Sequence, residues 1–176
     1  MTGPSNMERR AIPMELRAAG RRLVGYAATF GTEARIADFT EIIQPGAFRG
    51  SLGPGKDVLA LVDHDPSKVL ARTRSGTLQL AEDPRGLSFS LEVPDTQAGH
   101  DVLALAERGD LGGMSFGFTV SKDGERWNGK RRELRSVVLH EISVVSAWPA
   151  YSGTVVQARS AAPRLGQALR FLETCR

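Results

Sequence analysis

The chain has 176 residues, 41% of them hydrophobic and 24% charged, with a formal charge of +3. Those values exclude wholesale disorder and suit one soluble domain, which at this size buries roughly 70% of the surface its unfolded chain exposes. No apolar run approaches the ~18 residues of a membrane span, the basic residues are scattered as on a solvated face rather than gathered into a nucleic-acid groove, and Cys175, the single cysteine, leaves no intramolecular disulfide and no cysteine metal site.

Residues 1–20 read as a flexible lead: Met1–Asn6 is rich in small polar residues, a second methionine follows at Met7, and the basic-then-apolar layout of a secretory signal is missing, so a cytoplasmic protein is expected. Arg21–Phe30 combines β-branched and aromatic residues with small ones and predicts a strand with a bulge or close approach at Gly25. Phe39–Ile43 is a second strand, after which Pro45 opens a short helix to about Leu52. Asp57–Val62 is an apolar run of strand length that delivers His64 to a strand edge between Asp63 and Asp65. Val69–Thr73, Thr77–Ala81 and Leu87–Val93 alternate apolar and polar residues between turn sequences and predict an antiparallel meander.

The period then changes. Thr96–Arg108 is an amphipathic helix with Thr96 or Asp95 as its cap and Gly109 at its end. Gly113–Ser121 is a strand with Met114, Phe116, Phe118 and Val120 on one face and Ser115, Gly117 and Thr119 on the other. Trp127–Arg135 reads as a basic hairpin tip, and Glu133–Ser146 as a central strand ended by Trp148-Pro149. Leu165, Leu169 and Leu172 recur at helical spacing in a last helix. The sum is a mainly β domain over residues 21–157, a closed or nearly closed antiparallel barrel with helices outside it, followed by a tail over residues 158–176.

Nucleophilic hydrolysis needs a hydroxyl, a base that takes its proton near neutral pH, and a third group that orients the base. Ser115 lies in a glycine-flanked strand that leaves room for a substrate backbone, although a serine on the wet face of a strand is common. His64 is the histidine best placed to be held rigidly at a pocket rim; His100 sits among polar neighbours at a helix start. The third group is either His140 or Glu141, which strict alternation puts on opposite faces. A carboxylate inside so apolar a strand is costly unless paired, and that points to Glu141.

Five strings fall in order along Arg21–Tyr151: Gln44-Pro45-Gly46-Ala47-Phe48 with Ser51-Leu52, Leu61-Val62-Asp63-His64-Asp65, Gly113-Met114-Ser115-Phe116-Gly117-Phe118, Glu141-Ile142-Ser143-Val144-Val145-Ser146, and Pro149-Ala150-Tyr151. Together they resemble the HK97-type prohead proteases, which are similar to the herpesvirus assembly proteases, a β-barrel surrounded by helices. The resemblance implies a serine endopeptidase with Ser115 as nucleophile, His64 as general base and Glu141 as third member, where the herpesvirus branch has a second histidine. It implies no cofactor and no metal. It also implies action inside the assembling procapsid on scaffold or capsid-protein delta segments and on the protease itself, and a homo-oligomer, in the herpesvirus branch a dimer. The arginine that helps form the oxyanion hole in that branch has no counterpart in Ser146-Ala147-Trp148-Pro149, which leaves backbone N–H groups for that task.

Two other readings compete. A catalytically inert capsid-assembly or scaffolding module would share the fold. A small-ester hydrolase would share the letters Gly-Met-Ser-Phe-Gly, but there the serine turns from a strand into a helix, whereas here the helix precedes it and a strand continues after it.

Overall fold

The computed structural model describes residues 6–12 and 17–147. The chain order is β1 (Glu8–Ile12), β2 (Arg17–Ala19), β3 (Arg22–Thr29), β4 (Glu33–Ile36), β5 (Phe39–Ile43), a single 3-10 turn (Arg49–Ser51), β6 (Leu59–Val62), β7 (Asp65–Arg72), β8 (Leu78–Glu82), β9 (Gly86–Glu92), α1 (Gln97–Arg108), β10 (Gly113–Val120), β11 (Glu125–Asn128), β12 (Arg131–Leu134) and β13 (Val137–Val145). The strands form three sheets, ordered β1-β10-β13-β6-β7, β11-β12-β5-β4 and β2-β3-β9-β8.

This arrangement corrects the sequence reading in four respects. None of the three sheets closes into a barrel among the described residues. Nor is the pairing wholly antiparallel, because β5–β12 and β6–β13 run parallel. The expected meander is divided: β7 pairs with β6 in the first sheet, while β8 and β9 pair in the third. One α-helix is present among the described residues, and the segment after Pro45 makes turns and one 3-10 turn instead of a helix. The terminal helix expected around Leu165–Leu172, Cys175 and the Trp148–Tyr151 stop lie outside the described residues.

Local chemistry explains most of what was legible. In α1, Thr96 Oγ1 accepts a hydrogen bond from the Gly99 N–H, and Gly109 closes the helix at φ 73°, a left-handed cap that a side chain would resist. In β10 the alternation holds, with Met114, Phe116 and Phe118 fully buried. Phe116 meets Phe48 edge-on at 5.5 Å between ring centroids, and Ile142 and Val144 of β13 join the same core. Ser51 ties the 3-10 turn to β13, donating to the Val137 carbonyl at 3.2 Å and accepting from the Leu139 N–H at 2.8 Å.

The stretch before residue 21, read as a lead, supplies two strands. β1 takes the edge of the first sheet, with Arg10 paired to Phe116 and Ala11 to Ser115. A buried ionic cluster fastens it there. Arg10 Nε lies 2.6 Å from Glu41 Oε1, Arg132 Nη1 lies 3.0 Å from Glu41 Oε2 and 2.7 Å from Glu8 Oε2, and Arg132 Nε lies 2.6 Å from Glu125 Oε2. Two arginines that composition assigned to a solvated face are thus 6% exposed, sharing Glu8 of β1 and Glu41 of β5, with Glu125 of β11 added on Arg132. Burial pushes the Glu8 carboxyl up, but its bond to Arg132 and the charges of Arg10 and Arg132 outweigh that and hold it below the ordinary carboxylate value.

Candidate active site

The site is built on the face of the first sheet that points away from the core. β10 and β13 run antiparallel with Ser115 opposite Ser143 and Gly117 opposite Glu141, so these four residues share one side. On the other flank of β10, Ala11 and Arg9 of β1 are the partners of Ser115 and Gly117. The Arg9 Nε stands 3.9 Å from Glu141 Oε1, a loose contact on a part-exposed side chain.

His64 comes to this face through a tight hairpin. β6 and β7 are joined by Asp63-His64 alone, with Val62 paired to Asp65, and both turn residues have positive φ, 49° and 59°. A two-residue turn with two left-handed positions is the one whose twist matches that of the strands it joins. Aspartate and histidine tolerate that region better than most residues but still carry strain. The turn is pinned to β13: Asp63 donates its N–H to the Val144 carbonyl at 2.9 Å, and its carboxylate accepts from the Ser146 N–H at 2.8 Å and the Ser146 hydroxyl at 2.7 Å. Since β6 runs parallel to β13, the end of β6 falls beside Val144, within one side chain's reach of Glu141.

The resulting contacts are short. His64 Nδ1 is 2.6 Å from Glu141 Oε1, Ser143 Oγ donates to Glu141 Oε2 at 2.6 Å, and the His64 N–H donates to Ser143 Oγ at 3.2 Å. An ionised carboxylate only accepts hydrogen bonds, so Nδ1 carries the proton and Nε2 is left with its lone pair as the ring's basic site. Glu141 is 4% exposed and Ser143 not at all. The cost of a charge in an apolar strand is met by a histidine and a serine.

Ser115 lies on the same face, and its Oγ donates to the Arg10 carbonyl at 2.9 Å rather than to the imidazole. The residue is 1% exposed, so a peptide carbonyl reaches it only if the surrounding groups move. Ser143, whose hydroxyl accepts from the His64 N–H, is the cross-strand partner of Ser115, so the turn that carries His64 contacts the same side of the sheet that bears the serine.

His140 departs from the expected alternation. The β10–β13 register slips between Gly117 and Phe118, whose partners are Glu141 and Leu139, which leaves His140 as the extra residue of a bulge. Val137 and Leu139 before it and Ile142 and Val144 after it face the core, so His140 and Glu141 both turn outward. His140 Nε2 pairs with Thr119 Oγ1 at 3.0 Å, away from His64. Burial, against the pull of the Glu141 charge, holds its pKa below the ordinary imidazole value. His100, on α1, bonds Asp95 at 2.6 Å in an exposed pair.

Gly117 has a role the sequence suggested only in general terms. Room beside Ser115 was expected to serve the substrate backbone, yet it is the Glu141 carboxylate that fills it. A Cβ on Gly117 would collide with Glu141 Oε1 and lie 3.1 Å from its Cδ and 3.0 Å from Met7 Sδ. Gly117→Ala is therefore expected to push the carboxylate off His64 Nδ1 and lower turnover at least 100-fold, the cost of a misplacement of about 1 Å at reacting groups. Rates for the folded variant, checked by circular dichroism, decide this, and activity near wild type would refute it. Sequence reasoning also passed over Ser143, although a serine two residues from Glu141 in a strand necessarily shares its face, and over the Asp63–Ser146 clamp, which only the parallel strand pair brings together.

Among the described residues, no group of His, Cys, Asp and Glu could hold a metal ion. A cavity of about 80 Å³ lined by Arg10, Ile12, Thr29, Ile43 and Phe116 opens on the core side of β10, behind the serine face. The family model described as caudovirus prohead serine protease matches residues 7–165. No curated protein and no solved structure matches the chain.

Proposed function

The chain belongs to the caudovirus prohead serine protease family, and from that membership we propose that it is a serine endopeptidase of capsid maturation, with Ser115 as nucleophile, His64 as general base and Glu141 as the residue that orients the base. The observation that carries this reading is the 2.6 Å contact between His64 Nδ1 and Glu141 Oε1 on the sheet face that also bears Ser115. Its substrates are the scaffold or capsid-protein delta segments inside the assembling procapsid, and the protease itself. The kinship with herpesvirus assembly proteases belongs to the same proposal and rests on the shared chain order of histidine, serine and a third residue rather than on a closed barrel.

In this mechanism the Ser115 hydroxyl rotates from the Arg10 carbonyl toward His64, and Nε2 takes its proton as Oγ attacks the scissile carbonyl carbon. The imidazolium, steadied by Glu141, then gives that proton to the leaving amine as the C–N bond breaks, and an acyl-enzyme remains on Ser115. Water, deprotonated by the same nitrogen, releases the acid product and restores the hydroxyl. The test is covalent capture: full-length protein is treated with a fluorophosphonate, the adduct is mapped by peptide mass spectrometry, and cleavage of capsid precursor is followed in parallel. An adduct on Ser115 that stops cleavage is expected. Absence of any adduct and of any cleavage would instead favour the inert assembly module.

A further inference from the structure

We propose that Ser143 is a positioning residue of this site, holding the imidazole of His64 and the carboxylate of Glu141 in one geometry from a single hydroxyl. This rests on the reading of Ser115, His64 and Glu141 as the reactive set. A serine hydroxyl has one proton and two lone pairs. Here the proton goes to Glu141 Oε2 at 2.6 Å and a lone pair takes the backbone N–H of His64 at 3.2 Å. The acid and the backbone that carries the base are therefore joined by one fully buried atom.

Each bond answers a specific need. His64 occupies a left-handed backbone position, φ 59°, that only surrounding contacts can maintain, and Ser143 supplies the contact to its N–H. Glu141 has two oxygens and a rotatable carboxylate. With Oε2 held by Ser143, Oε1 is the oxygen that faces Nδ1, and the direction of Nε2 follows from that. Ser143 is also the cross-strand partner of Ser115, so two serine hydroxyls stand side by side on the sheet. The proton of Ser143 is committed to a carboxylate, a strong charge-assisted bond, while that of Ser115 goes to a neutral backbone carbonyl. The network thereby decides which of the two serines is free to act as nucleophile.

The test compares wild type with Ser143→Ala, Ser143→Thr and Ser115→Ala, each as the full chain with its melting temperature recorded, by steady-state kinetics on a peptide from the capsid precursor. Ser143→Ala is expected to lower kcat about 10- to 100-fold, the usual weight of an outer hydrogen-bond partner, with KM near wild type. Ser143→Thr, which keeps the hydroxyl, is expected to recover most of kcat. Activity retained by Ser115→Ala would remove the underlying reading whatever Ser143 does. If Ser115→Ala is inactive while Ser143→Ala keeps the wild-type kcat, the positioning role is wrong. It is equally wrong if Ser143→Thr loses as much kcat as Ser143→Ala and both melt at a lowered temperature, the mark of a merely structural role.

Discussion

Ser115→Ala is expected to cut capsid-precursor cleavage by about six orders of magnitude, the loss seen when the nucleophile of a serine-histidine pair is removed. The fold should survive. The side chain loses one neutral hydrogen bond, to the Arg10 carbonyl, and such bonds contribute only about 1 kcal/mol net. Alanine fits where serine did, on a strand whose opposite face is anchored by Met114 and Phe116. Thermal melting within a few degrees of wild type, together with cleavage below detection, is the result that assigns the chemistry to this hydroxyl. The same pair of proteins separates the competing functions. An inert assembly module predicts that wild type and variant leave the precursor equally intact. A small-ester hydrolase predicts that wild type hydrolyses esters through Ser115 yet spares the precursor. Cleavage retained by the variant would remove Ser115 from the mechanism altogether.

How much of this was readable without coordinates depended on whether the determining interaction is local. The helix Gln97–Arg108 was legible because its cap, its apolar stripe and its terminal glycine lie within one stretch of chain. β10 was legible because period-two alternation is imposed by the strand itself. Placing His64 at the end of an apolar run anticipated a strand edge, and the structure refines that edge to a two-residue left-handed turn. What escaped depends on partners distant in sequence. Glu8–Ile12 is unremarkable as a string, and becomes a strand because Arg10 finds Glu41, 31 residues away, and because β10 offers it an edge. The parallel pairs β5–β12 and β6–β13 leave no mark in alternation, since pairing direction does not alter which face a residue takes. The bulge at His140 is the clearest case. Strict alternation holds for an unbroken ladder, and one extra residue suffices to turn both His140 and Glu141 outward. The choice of Glu141 over His140 thus rests on contacts, His64 for one and Thr119 for the other, and not on faces.

That choice leads to the second large effect, Glu141→Gln, expected to lower kcat by about four orders of magnitude, the cost of an uncharged amide in place of the orienting acid. The substitution keeps length and planarity, so the amide still lies over Gly117 and the fold is retained. Its chemistry does not survive. Where the amide oxygen takes the hydroxyl proton of Ser143, the NH₂ group faces His64 Nδ1 and forces the ring proton onto Nε2, leaving no base toward Ser115. Where the amide turns round, its oxygen accepts from Nδ1 but the Ser143 hydroxyl loses its acceptor, and no negative charge remains to steady the imidazolium. Both orientations lose the same transition-state stabilisation, so kcat falls while KM changes little. His140→Gln provides the contrast: its ring lies on Thr119 and burial disfavours its charged form, so near wild-type turnover is expected. Steady-state kinetics on the precursor peptide decide between them, and the reverse ranking, with His140→Gln the more damaging, would transfer the third role to the histidine.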